Sequence, residues 1–242
     1  MACILHLDFM LICAIDTSGR EGSVALAEAD ASSFHVLRFA PIAGGTYSAQ
    51  LIPQIASALE ASGRRKTDIG LLAVASGPGS FTGLRIGLGT AKAMSQALNV
   101  PIVSISVLEA IAFAARKDGL ILTALDAQRG DVFVGEYEAR VAPLLDPQIT
   151  VLHEAIVFGE DFTTWLSGRS AVPVTYTPDA SIEKRVRASG SPVELVARPA
   201  ADVYARAGWR RYLAGKTVAA DVLDANYLRR TDAEILNEST PR

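Results

Sequence analysis

Three short stretches hold the residue types from which chemistry could be built. Asp16, Thr17 and Ser18 follow an apolar run and precede Gly19, so one carboxylate and two hydroxyls arrive together at a chain reversal. An acid at the end of a buried strand, flanked by hydroxyls, could hold a phosphate or a hydrated magnesium ion. A tight hairpin uses the same residues for its own hydrogen bonds, so the two readings compete. The second stretch, SGPGSFTG from Ser76 to Gly83, lies between a strand-like and a helix-like run, where free N–H groups and the helix dipole attract anions. Yet Gly83 is followed by Leu84 and Arg85, so the lysine of a phosphate-loop ATPase is missing, and Gly77, Gly79 and Gly83 do not have dinucleotide-binding spacing. The third stretch, Asp126, Arg129 and Asp131, is explained better by a hairpin turn with a local ion pair.

Metal and nucleophile patterns are absent. His6, His35 and His153 stand far apart, Cys3 and Cys13 fit no zinc spacing, and neither a Cys–His pair nor a G-x-S-x-G elbow occurs. No catalytic residue and no metal ligand is expected.

The elements that must position these stretches come in two similar sets. LICAID (Leu11 to Asp16), a turn and SVALAEA predict a hairpin, and ILTALD (Ile121 to Asp126), a turn and DVFVGEY (Asp131 to Tyr137) predict a second one. Asp16 and Asp126 occupy the same place in each, which suggests two related halves. Between the hairpins, helices over 48–62 and 82–98, with Thr82 as N-cap, alternate with strands over 69–75 and 101–106, and a helix follows over 107–116. That alternation predicts an α/β sheet with helices on its faces. The region 143–199 is assigned only loosely, and a helix is expected over 200–214.

The 82–98 helix is apolar or small over most of its surface, with Arg85, Lys92 and Gln96 on one stripe. Gly83, Gly87, Ala91 and Ser95 recur every fourth residue, a smooth strip that another helix could approach closely. Leu51, Ile52, Ile55 and Leu59 offer a matching row, with Leu84 and Leu88 beside the strip. These ten residues are the candidate partner interface; packing within the domain is the competing use. Half of the 242 residues are apolar and 20% are charged, with a formal net charge of -3. Such a chain buries a large core and carries no basic footprint for independent nucleic-acid binding. The early apolar run is too short to span a membrane and lacks the flanks of a signal peptide, so a cytoplasmic location is expected, with residues 1–9 read as an extension.

ICAIDTSGREGSVAL, SAQLIPQI, ASGPGSFTGLRIGLGTAKAM, PIVSISVLEA, LDAQRGDVFVGEY and ANYLRR together resemble the bacterial TsaB (YeaZ) proteins. The resemblance implies a duplicated actin-like, Hsp70-like α/β fold of two mixed-sheet domains, each opening with a β-hairpin. The domains are expected at 1–106 and 107–242, with the tail from about 215 packing back on the first. It also implies a role in forming N6-threonylcarbamoyladenosine beside the anticodon of tRNAs that read codons beginning with A. There the chain would be the non-catalytic partner of a TsaD-like transferase, with a TsaE-like ATPase completing the complex and tRNA reached through it. The transferase holds its metal with a His-x-x-x-His pair, whereas Ser104 to Phe113 here contains no histidine. On this reading the chain binds no cofactor strongly by itself, ATP and Mg²⁺ serve the assembled complex, and the chain alone forms a homodimer. The alternative is an actin-like ATPase or kinase that binds nucleotide through Asp16, Thr17 and Ser18.

Overall fold

The apolar run after Phe9 forms strand β1 (Met10–Asp16), which turns back antiparallel into β2 (Gly22–Ala29) in the computed structural model; the structure describes residues 9–142, 146–159, 161–169 and 173–228. Cys13, Ile15 and Val24 enter one core while Ile12, Ala14 and Ala25 enter another. Burial on both faces is why these strands read as continuous apolar runs and not as an alternation. The next strand, β3 (Phe34–Ile42), escapes sequence reading because His35, Val36, Arg38 and Phe39 are exposed at a sheet edge. The first half continues through α1 (Tyr47–Ala61), β4 (Ile69–Gly77), α2 (Phe81–Leu98), β5 (Ile102–Ser106) and α3 (Val107–Ala115). Pro53 stands beyond the first turn of α1.

The second half repeats that order: β6 (Gly119–Asp126), β7 (Val132–Arg140), β8 (Gln148–Val157), α4 (Phe162–Ser167), β9 (Thr175–Thr177), α5 (Ala180–Ala188), β10 (Val193–Leu195) and α6 (Ala201–Leu213). The sheets run β3-β2-β1-β4-β5 and β10-β9-β6-β7-β8, each with two antiparallel pairs and two parallel ones. Asp16 and Asp126 close equivalent strands opposite Ser23 and Val132. This is a duplicated actin-like fold, and among the described residues it holds no helix long and apolar enough to cross a membrane.

Five layers result. α1 and α2 cover the outer face of the first sheet, α4 and α5 the outer face of the second, and α3 and α6 lie between the sheets. The middle pair is crossed. α3, made by the first half, packs on β6, β7 and β8, whereas α6, made by the second half, packs on β1, β2, β4 and β5. Gly208 lets α6 come close, since a Cβ there would lie 2.7 Å from the Cβ of Ala73. A division at Ser106 thus keeps α3 with the sheet that it covers but separates α6 from its own. The segment after α6 also returns to the first sheet: the Val218 amide donates to the Ile102 carbonyl at 2.9 Å, and Leu223 is buried in the core beneath α1 and α2.

Where the middle helices meet the second sheet, charge is buried. Glu109 on α3 is 5% exposed, with an Oε2 3.0 Å from the guanidinium of Arg211 on α6. Burial pushes its carboxyl up to about 7, against the pull of Arg211 and with a push from Glu154. A carboxyl raised in the folded state from 4.5 to about 7 holds its proton longer there than in the unfolded chain. Its stabilising contribution is therefore full below pH 4.5 and is lost as pH rises to about 7, a loss of about 3 kcal/mol by linkage. Denaturant titrations of wild type and Glu109→Gln at pH 5 and pH 8 should show the decline in wild type only, shrinking the difference between the two pH values by about 2–3 kcal/mol in the variant.

Candidate functional site

The turn after β1 is built from polar groups that bond to one another. Asp16 is 2% exposed, and its Oδ1 accepts from the Ser18 amide at 2.9 Å and from Ser18 Oγ at 2.7 Å. Burial pushes its carboxyl up, while the two Ser18 bonds and the positive Arg198 pull it back. Thr17 Oγ1 donates to the Gly83 carbonyl at 2.7 Å, the Ser18 carbonyl accepts from the Ser80 amide at 2.8 Å, and Tyr47 Oη donates to the Gly19 carbonyl at 2.9 Å. Every side chain of the Asp16-Thr17-Ser18 triplet thus holds the hairpin turn together or ties it to the start of α2.

The glycine loop completes the joint. A Cβ on Gly79 would stand 2.2 Å from the Ser18 carbonyl oxygen, one on Gly83 2.1 Å from that of Thr17, and one on Gly87 2.3 Å from Thr17 Oγ1. These glycines let α2 close on the turn. The helix is capped by Ser80, whose Oγ accepts from the Gly83 amide at 3.2 Å, and not by Thr82, which lies inside the helix. The capping hydroxyl sits three residues before the amide that it receives, and Ser80 meets that spacing with Gly83. At the far end Asn99 takes the left-handed conformation, with a φ of 55°.

A cleft of about 1680 Å³ lies between the two bodies, lined by Ser18, Arg20 and Gly79 on one side, by Asp126 and Arg129 on the other, and also by Arg198, close to Gly19. The two hairpin acids differ sharply in it. Asp126 is exposed, its Oδ1 accepting from the Gln128 amide and its amide donating to Asp179 Oδ2, both at 2.8 Å, whereas Asp16 and Thr17 do not line the cleft. The triplet therefore does not fit a magnesium nucleotide: its carboxylate is buried and both hydroxyls donate to protein oxygens. Among the described residues no three His, Cys, Asp or Glu side chains are grouped to hold a metal.

Of the ten candidate interface residues, most are core. Leu51, Ile55 and Leu59 on α1 and Gly83, Leu84, Gly87, Leu88 and Ala91 on α2 are buried within this chain. Ser95 is half-buried and donates to the Val100 carbonyl at 2.6 Å, leaving Ile52, at 55%, as the exposed member. The correction has a simple cause. A strip of small residues invites close approach by any backbone, and here the approaching backbone is the hairpin turn of the same chain. The face turned outward is the opposite one: Ala49, Ile52, Pro53 and Ala56 on α1, and Gly89 and Ala93 on α2. Its signal was present as positions three and four apart, out of phase with the larger aliphatics. Phe81, 40% exposed, closes one end, with the Arg85 guanidinium 3.8 Å from its ring centroid and Tyr227 at 5.5 Å. Arg229 and Arg230, the basic pair that ends the ANYLRR stretch, lie outside the described residues.

Fold and site together define a duplicated actin-like protein whose hairpin triplet is engaged internally and whose outer helix pair presents small and apolar side chains. Comparison with known proteins narrows this class. The family model of TsaD, tRNA N6-adenosine threonylcarbamoyltransferase, matches residues 41–155. The tRNA threonylcarbamoyladenosine biosynthesis protein TsaB of Bacillus subtilis is 31% identical over 228 residues, covering 93% of this chain and 96% of that protein. TsaB of Escherichia coli is 29% identical over 238 residues, covering 91% and 95%. YeaZ from Pseudomonas aeruginosa superposes with a TM-score of 0.68 at 21% identity, over 90% of this chain and 100% of that one. The chain belongs to the TsaB family of tRNA threonylcarbamoyladenosine biosynthesis proteins.

The joint between turn and helix can be tested by glycine replacement. Gly83→Ala and Gly87→Ala should each lower stability by about 1–3 kcal/mol through overpacking. Gly89→Ala, where a Cβ meets nothing within 4 Å, should raise it by about 0.5–1 kcal/mol through helix propensity. Thermal and urea unfolding of the three variants gives the comparison.

Proposed function

We propose that this chain is the non-catalytic partner of a TsaD-like transferase in the formation of N6-threonylcarbamoyladenosine in tRNA, and that it docks through the outward face of α1 and α2. The observation that carries the reading is the outward side of two adjacent helices, one ending at Ala61 and the other starting at Phe81, which exposes Ala49, Ile52 and Ala56 on the first and Gly89 and Ala93 on the second. Small residues let a partner's helices approach closely, and Ile52 supplies an apolar anchor at low entropic cost. The non-catalytic half of the proposal has its own support. The stretch Ser104 to Phe113, where the transferase carries metal-binding histidines, is occupied here by the buried Val107, Leu108, Ala110 and Ile111.

ATP and Mg²⁺ serve the assembled complex on this reading, because the Asp16-Thr17-Ser18 triplet is engaged within the fold. A TsaE-like ATPase and the tRNA join through the complex, in the cytoplasm. When the transferase is absent, the same face pairs two copies of this chain.

The test uses surface positions, since a charge at Leu88 or Ala91 would report on folding. Ile52→Glu and Gly89→Arg should each weaken binding to the purified transferase at least tenfold by calorimetry, without lowering the unfolding temperature, and should depress tRNA modification in a reconstituted system in parallel. Affinity within twofold of wild type in the double variant would remove α1 and α2 from the interface.

A further inference from the structure

The segment that follows α6 makes contacts of a different kind from those of the crossed helices. After pairing with Ile102 and burying Leu223, it reaches the end of β4, where the Asn226 amide donates to the Ser76 carbonyl at 2.7 Å. From that position the Asn226 side chain turns to the other body: its Nδ2 donates to Glu154 Oε2 on β8 at 2.5 Å. The second oxygen of the same carboxylate, Oε1, accepts from Tyr137 Oη on β7. Both oxygens of Glu154 are thereby used, one by each body. Gly77 permits the close passage, because a Cβ there would lie 3.3 Å from the Asn226 carbonyl oxygen. Asn226, Tyr227 and Leu228 then line the cleft.

We propose that Asn226, Glu154 and Tyr137 form a clasp that sets how far the cleft between the two bodies is open. Apart from the Glu109–Arg211 pair, the crossed helices join the bodies through an apolar core, a contact with little directional preference. A charged acceptor bonded on both oxygens adds direction, and each such bond is stronger than one between neutral groups. Loss of one bond leaves a carboxylate partly unsatisfied near Glu109, and opening of the cleft relieves it by letting water in. The inference does not depend on what docks on α1 and α2.

The polarity of the clasp allows a rescue experiment. Asn226→Asp places two carboxylates together, and Glu154→Leu removes the acceptor; Glu154→Gln alone does not break the clasp, because its amide can turn Oε1 to Asn226 and Nε2 to Tyr137 Oη. The double variant Asn226→Asp/Glu154→Gln restores one donor and one acceptor across the cleft, and the carboxamide introduced at position 154 keeps an oxygen for Tyr137. Spin labels are placed on cysteines introduced at Ser57 and Thr164, one exposed on each body. Cys3 is replaced by serine, and Cys13, whose thiol burial pushes up to about 12, stays unlabelled. Asn226→Asp and Glu154→Leu should each broaden or lengthen the interlabel distance and speed amide exchange around residues 76 and 226 about tenfold or more; the double variant should return both to wild type. Unchanged distances in Glu154→Leu, or a double variant as open as Asn226→Asp, would overturn the clasp. Should Asn226→Asp alone fail to fold, Glu154→Leu and the double variant still decide.

Discussion

The crossing of α3 and α6 is the constraint on which the molecule depends. Each half ends in a helix that covers the sheet of the other half, so the inner faces of both sheets are buried only when the halves are together. Ile12, Ala73 and Ile105 of the first sheet, Ile121 and Tyr137 of the second, and Tyr204 and Trp209 of α6 share one core. Burial of a large side chain contributes roughly 1.5–3 kcal/mol, so uncovering Tyr204 and Trp209 alone would remove an appreciable part of a typical domain's stability. The repeat is thus two in sequence and one in folding, and the cleft is the side of that unit that the middle helices leave open.

That arrangement explains what could be read in advance. The hairpins were legible because double burial writes apolar runs into β1, β2, β6 and β7, and the helices over 47–61 and 81–98 because each carries a one-sided row of large aliphatics. Edge strands were not. In β3 and β8 exposed and half-buried residues alternate irregularly, a bulge interrupts the pairing of each, and no apolar run survives. β9 and β10 hold three residues each, too few for a period to show. The partner of a helix was also illegible: the spacing of Gly83 and Gly87 states that something approaches closely, and only coordinates show that Thr17 does.

The site shows residue types that could hold a phosphate serving the fold instead. A carboxylate and two hydroxyls stand beside a glycine loop at a helix start, yet all three side chains hydrogen-bond within the protein. Thr17 and Ser18 donate to Gly83 and Asp16, and Asp16 feels the positive charge of Arg198. The second hairpin lacks this closure, so Asp126 remains at the cleft wall, where its carboxylate orders its own turn through Gln128 and its amide is held by Asp179. Duplication preserved the backbone and the acid at each turn, while burial separated the chemistry of the two.

Anchoring the hairpin turn to α2 also fixes the helix that carries the proposed docking face. Gly79, Gly83 and Gly87 bring α2 against the turn on one side; Gly89 and Ala93, on the other, remain bare. A helix held rigidly at its first turns loses little entropy when a second protein packs along it, which favours association without a large apolar patch that would aggregate. The same glycines that seat α2 on the turn therefore prepare a surface, and a mutation at the turn would be felt on the outer face through the helix that joins them.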